Sequence, residues 1–255
     1  MNADLRHQRI LQMLSSRGYA GIDELVARFA VTPQTIRRDL QDLAERGLLR
    51  RHHGGASLAS SIANTDYVTR HVENAAEKLR IARAAASLVP TGSSVFMTPG
   101  TTVEAAARVL AEAGLGALRV ITNSTAAAAI LGADPNITIQ VTGGTWQANN
   151  RALGGPAAAE AAERYRCDIL LTSIGAIDSD GWLLEFHERE VVVARTMLAN
   201  ARRRVLLADH TKFARVAACK LARLCDMTTL VTDRPPPGAI ARMMEEAGVE
   251  LIIPR

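Results

Sequence analysis

TPQTIRRDLQDLAERGLLRRHHGGA, residues 32–56, carries most of the information about what kind of molecule this is. Thr32 is a favourable N-cap, because its hydroxyl can accept from an unpaired amide of the first turn. Pro33 suits the first helical position, where its missing N–H costs nothing. Ile36, Leu40 and Leu43 then recur on one face of a helix that Gly47 ends. Packing that stripe inward turns Gln34, Arg38 and Gln41 outward, with Thr35 and Arg37 on the flanks. Upstream, Ile22, Leu25, Val26 and Phe29 fall at i, i+3, i+4 and i+7, and Asp23 and Glu24 put negative charge in that helix's first turn. Earlier still, Ile10, Leu11 and Leu14 give a first helix ended by Gly18. Two short amphipathic helices joined by a tight turn, the second opening on Thr-Pro, form the helix-turn-helix pattern.

A charged helical hairpin of no special function has the same amphipathicity, so the segment that follows is decisive. Leu48 and Leu49 can pair as a strand, and Gly54-Gly55 supplies the tight turn of a hairpin. Arg50, Arg51, His52 and His53 would then lie along a phosphate backbone or a minor groove, as a wing. In such heads the N-terminal end of the second helix reaches base edges. Gln34, Arg37 and Arg38 are therefore the expected base readers, and Thr32 and Thr35 the expected phosphate contacts. The expected partner is double-stranded operator DNA. Operators for such heads are read two-fold, so a homodimer or homotetramer is expected.

Charge distribution agrees. Residues 1–57 hold nine arginines, no lysine and six carboxylates, a net +3, against 21 basic and 20 acidic side chains in the rest of the chain. Arginine suits bidentate contacts to phosphate and guanine. A chain of 255 residues with 48% hydrophobic and 22% charged side chains has ample apolar surface for a core. The Ala-rich runs are too short and too often interrupted by charge to cross a membrane, and no signal peptide is recognisable. Cys167, Cys219 and Cys225 form no C-x-x-C pair and read as small buried apolar residues in a reducing compartment. The expected location is cytoplasmic.

The chain divides into a head (1–57), a small, polar, aperiodic linker (58–72) and a body (73–255). The body opens on an amphipathic helix, from Glu73 to Leu88, with Leu79, Ile81 and Ala82 apolar. It then alternates continuous apolar runs (93–98, 118–122, 137–142, 168–175, 204–209 and 228–233) with helical stretches (103–114, 124–131, 156–165 and 190–201). That alternation predicts an α/β unit with a mostly parallel sheet covered on both faces. Ligands of such sheets bind at the C-terminal strand ends. Those ends hold Gly100, Thr101 and Thr102; Asn123 and Ser124; Gly143 and Gly144; Gly175 with Asp178 and Asp180; and Lys212. Backbone amides and hydroxyls there can cradle phosphate, carboxylates can accept ligand hydroxyls, and Lys212 offers a cation. A pocket for a small phosphorylated polyol or sugar is expected.

TIRRDL followed by L-x-R-x-H-G-G-A resembles the N-terminal signature of the DeoR family of bacterial regulators. The resemblance continues through EKLRIAR, PGTT, VITNS, IDSDGWLLEF and TDRPPP, over the whole chain. It implies a winged helix-turn-helix joined to a sensor domain that shares the fold of ribose-5-phosphate isomerase. It further implies a repressor of a carbon-metabolism operon, released by a phosphorylated effector, with glycerol 3-phosphate favoured. Two positions depart from the family. Thr98 stands where an Asp usually precedes Gly-Thr-Thr by two residues, and Gln147 where an Arg often follows G-G-x-x, removing a carboxylate and a cation from the implied pocket.

The competing reading is a phosphosugar isomerase or deaminase with an appended DNA-binding head. Asp209, His210, Glu185 and Lys212 would be its raw material. Asp178-Ser179-Asp180-Gly181 reads more simply as a turn, and His187 beside Glu188 and Glu190 as a solvated helix start rather than a metal site. No catalytic set, cofactor or metal is expected. A DNA-architectural protein, the other alternative, would leave the phosphate-type loops without a role.

Overall fold

The computed structural model describes residues 3–17, 19–46, 48–52, 54–58 and 67–254. Two compact units result, residues 1–61 and 62–255. The first contains α1 (Ala3–Arg17), β1 (Tyr19–Gly21), α2 (Ile22–Phe29), α3 (Pro33–Glu45), β2 (Leu49–His52) and β3 (Gly55–Leu58). Thr32 caps α3, its hydroxyl accepting from the Thr35 amide at 3.2 Å. Ile36, Leu40 and Leu43 are buried with Ile10 and Leu14 of α1, Leu25 of α2, and Leu49 and Ala56 of the β2–β3 hairpin. The hairpin pairs Leu49 with Leu58 and His52 with Gly55, and β1 adds a third strand on the far side of β3. A three-residue strand carries too little period to be seen in sequence. Gly18, Gly47 and His53 lie outside the described residues.

The second unit begins earlier in regular structure than its composition suggests. Tyr67–Val72, expected as linker, forms a helix (α4) that leads to α5 (Ala75–Ala86). Leu79, expected to be inward, is 40% exposed, while Ile81 and Ala82 are fully buried. Next come β4 (Ser94–Met97), α6 (Thr101–Glu112), β5 (Leu118–Thr122), α7 (Thr125–Leu131), β6 (Ile137–Val141), a small hairpin β7–β8 (Thr145–Gln147, Ala152–Gly154) and α8 (Pro156–Glu163). After these stand β9 (Cys167–Thr172), β10 (Ala176–Ile177), β11 (Trp182–Glu185), α9 (Glu188–Ala199), β12 (Ala201–Leu207), β13 (Cys219–Arg223), β14 (Thr229–Val231), α10 (Gly238–Ala247) and β15 (Glu250–Ile252).

Seven of these strands form one all-parallel sheet in the order β15-β14-β12-β9-β4-β5-β6. Alternate residues of each strand face opposite layers. Val95 and Met97 join Ile81, Val103, Ala107 and Leu110 of α5 and α6, while Phe96 and Leu170 join Ala158, Ala162, Val193 and Met197 of α8 and α9. Both faces are therefore covered, which is why the strands read as unbroken apolar runs. Chain order runs outward from β4 through β5 to β6, then returns to β9 on the other side of β4 and continues outward to β15. The reversal between β4 and β9 is a topological switch point, where loops diverge and leave a crevice. Small antiparallel additions, β10-β11-β13 and β7-β8, flank this frame. Cys167 is buried, but Cys225 is exposed, contrary to the reading of all three cysteines as core residues; all three are free thiols.

Candidate functional site

In the head, the inward stripe of α3 leaves Gln34, Arg37, Arg38 and Gln41 exposed, with Thr32 exposed and Thr35 partly so at the start of the helix. Arg51 is exposed on the wing, but it turns back to α3 and donates to Gln41 Oε1, while Gln41 Nε2 donates to Glu45 Oε1 at 2.6 Å. Arg50 and His52, also on β2, are partly buried. One feature of α3 escaped the periodicity. Asp39, one residue from Arg38, is only 4% exposed. Arg6 of α1 donates to its two carboxylate oxygens at 2.5 and 2.8 Å, and His7 Nε2 lies 3.0 Å away. Burial pushes the Asp39 carboxyl up, but these partners outweigh it and hold it below its ordinary value. The pair fixes the rotation of α3 against α1, and with it the direction in which Arg37 and Arg38 point.

In the second unit a cavity of about 20 Å³ lies at the switch point, at the C-terminal ends of β4, β9 and β12. Gly100, Thr101 and Thr102 follow β4, Ser173 to Gly175 follow β9, and Lys212 follows β12. Gly100 is the N-cap of α6 at φ +142°, and a Cβ there would be strained and would displace the Ser173 hydroxyl. It caps without a side-chain bond, leaving first-turn amides of α6 available. Arg70 of α4, Asn150, Glu185 and Glu190 complete the polar wall.

Five of the eleven expected ligand-site residues thus meet: Gly100, Thr101, Thr102, Gly175 and Lys212. The other six stand elsewhere. Asp178 closes its own turn, its Oδ1 accepting from the amides of Asp180 (3.0 Å) and Trp182 (2.8 Å), and Asp180 lines a separate groove with Arg223 and Met243. Ser124 caps α7 by accepting from the Ala127 amide, and Asn123 donates to the Leu153 carbonyl, anchoring β8. Gly143 and Gly144 lie beyond the edge strand β6, where Gly144, at φ +113°, packs against the Gly154 carbonyl and Ala158. Strand order explains the split: β12, β9 and β4 are neighbours at the reversal, whereas β5 and β6 lie to one side. Thr98 exchanges a hydrogen bond with Thr172 at 2.9 Å.

The cavity's charges are poorly at ease. Burial pushes the Glu185 carboxyl up to about 8, with the Glu190 charge adding to the effect, although the amides of Gly175 and Phe186 donate to it. Glu190, which accepts from Asn150 Nδ2 at 2.6 Å, is raised chiefly by burial. Lys212 is driven the opposite way, down to about 7, by burial and then by Arg215. Each group is pressed toward its neutral form chiefly by burial, which the opposite charges of Glu185 and Lys212 only partly offset. Arg70 and Asn150 had no signal in the sequence: one stood in a stretch with linker composition, the other in a hairpin of unremarkable residues.

A winged helix-turn-helix joined to an α/β unit with a polar cavity at its switch point defines a ligand-sensing, DNA-binding regulator. The model for a DeoR-like helix-turn-helix domain matches residues 6–62, and that for a DeoR C-terminal sensor domain matches residues 73–234. The chain belongs to the DeoR family of transcriptional regulators. It is 44% identical to the HTH-type transcriptional repressor CsqR of Escherichia coli (strain K12), over 98% of this chain and 95% of that protein. It is 40% identical to the glycerol-3-phosphate regulon repressor of Haemophilus influenzae, over 96% and 95% of the two chains, and 38% identical to that of Escherichia coli, over 98% and 99%. Among the described residues no helix is long and apolar enough to cross a membrane.

Proposed function

We propose that this protein represses a carbon-metabolism operon by binding its operator through α3 and the β2–β3 wing. A phosphorylated polyol or sugar, with glycerol 3-phosphate favoured, would release it. The observation that carries this reading is the cavity at the β4/β9 switch point, where the uncapped start of α6 faces the same space as Lys212 and Arg70. A helix N-terminus and two cations suit a phosphate dianion, and a dianion would return Lys212 to its charged form. The names of the relatives support both the repressor role and the effector class.

Lys212→Ala should still bind operator but respond to glycerol 3-phosphate only at roughly 10- to 100-fold higher concentration, the loss of one hydrogen bond to a charged group. Operator titrations across a panel of phosphorylated metabolites, with unphosphorylated glycerol as control, measure this. Release of the variant at the wild-type concentration, or equal release by glycerol itself, would place the anion elsewhere. The near-neutral Glu185 and Lys212 also suit acid–base chemistry, which keeps the isomerase reading testable. Incubation of the protein with sugar phosphates should yield no isomerised or deaminated product.

A further inference from the structure

We infer that Arg70 is the relay between the cavity and the head, and that α4 is the element the effector displaces; this rests on the effector reading above. The cavity in its present form has room for about one water, so a sugar phosphate enters only if part of the wall moves. Thr101, Thr102 and Glu190 stand on the long helices α6 and α9, and Pro99, Gly100 and Ser173 to Gly175 follow the central strands β4 and β9. Arg70, Asn150 and Lys212 stand on short elements, a six-residue helix and 3-10 turns of three and five residues; of these, Arg70 lies nearest the head along the chain.

α4 is held chiefly by polar bonds. Val68 and Val72 are 69% and 67% exposed, so apolar burial contributes little, whereas Arg70 is only 7% exposed. The Arg70 guanidinium donates to the Asn149 carbonyl at 2.7 Å and to Asn150 Oδ1 at 2.5 Å. Its own carbonyl accepts from Thr101 Oγ1 at 3.2 Å and from Lys78 Nζ. A phosphate at the start of α6 competes for both ends of this arrangement. It accepts from the Thr101 hydroxyl, freeing the Arg70 carbonyl, and it attracts the guanidinium away from the neutral oxygens of Asn149 and Asn150. An element anchored by a few hydrogen bonds and little apolar area belongs to the low-stability end of a fold, where ligand-driven shifts occur. Along the chain residues 59–66 lie between wing strand β3 and α4, the segment through which a shift of α4 would act on the head.

The test uses the full chain, with operator affinity and amide exchange of residues 67–72 as readouts. Without any ligand, Asn150→Ala removes one anchor of Arg70. It should speed exchange in 67–72 about tenfold and weaken operator binding five- to tenfold. Thr101→Val removes one of the bonds to the Arg70 carbonyl and should do the same to a smaller degree, which covers the case in which Asn150→Ala does not fold. Unchanged exchange and unchanged operator affinity in these variants overturn the relay. With glycerol 3-phosphate as probe, exchange in 67–72 of the wild type should rise. Arg70→Gln should lose at least tenfold in probe affinity, with Arg70→Lys recovering part of it. If the probe protects residues 99–102 yet leaves 67–72 unaltered, the effector site stands and the relay fails. If it affects neither segment, the effector assignment fails, and the ligand-free variants still decide the relay.

Discussion

Both units of this protein bury charge, and they do so in opposite ways. In the head, Asp39 is met on both carboxylate oxygens by Arg6 and on one side by His7, and its carboxyl is stabilised in the charged form. In the sensor unit, Glu185, Glu190, Arg70 and Lys212 surround a space, and two of them, Glu185 and Lys212, are pushed to about 8 and about 7. A buried charge with all its partners fixes an orientation. Buried groups pushed toward neutrality chiefly by desolvation, with their partners only partly offsetting it, suit the arrival of a further charge. The difference sets the orienting pair of the head apart from the cavity proposed above as the seat of the effector.

The largest effect expected from this contrast is in the head. Asp39→Ala leaves Arg6 without its carboxylate and should cost about 3 kcal/mol, the lower end for a broken buried pair, because the small head shields it thinly. Amide exchange of α3 in the full chain would report it. The folded carboxyl lies below its ordinary value, so the stabilisation is present above the unfolded value of roughly 3.9 and is lost as pH falls through the folded one. The gap between wild type and variant should therefore close in acid. An undiminished gap at low pH would mean that the side chain acts by packing instead.

One residue away the expectation reverses. Arg38→Ala touches no core group and should leave stability within about 0.5 kcal/mol, yet lose roughly 1–3 kcal/mol of specific binding per half-site. Operator titration against a scrambled duplex separates the two effects. Retained affinity and sequence preference would show that the Asp39 pair aims α3 differently from the orientation argued above.

The smallest effect expected sharpens the other side of the comparison. Because Lys212 is held down at about 7, binding a phosphate dianion above that pH requires proton uptake. Effector affinity should fall as pH rises from 7 to 9, by at most about tenfold per unit. Glu185, ionising near 8, adds negative charge over the same range and works in the same direction. Binding calorimetry in buffers of different ionisation heat measures the uptake directly. Proton release in place of uptake would contradict the cavity's electrostatics.

The head was legible because its information is local. The Thr32-Pro33 start and the Ile36–Leu40–Leu43 stripe each act within a few residues, and periodicity then decides which side chains face out; Gly55, expected within the hairpin turn, instead opens β3 and pairs with His52. Asp39 was hidden because its partners lie more than thirty residues away, and a carboxylate on the inner face of a helix looks like a flaw in the stripe until Arg6 and His7 are in place. The alternation of apolar runs and helices likewise specified a covered parallel sheet, although β15, with three residues at an edge, was too short to register.

What the sequence determined by itself is therefore the class of each unit, its main elements and the family, since all of these follow from short-range periodicity, turn chemistry and ordered motifs. Which loops meet was decided only by tertiary structure. All five strand ends carried similar Gly, Thr and Asx residues, and nothing local distinguishes a phosphate cradle from a turn or a cap. The order β12-β9-β4-β5 brings Gly100–Thr102, Gly175 and Lys212 to one crevice, and leaves Ser124 to cap a helix and Asp178 to close a turn. The same packing carries Arg70, from a stretch that reads as linker, into the cavity wall. Its burial and its bonds to Asn149 and Asn150 depend on residues some eighty positions away, a distance over which sequence pattern conveys nothing and only the folded chain brings the groups together.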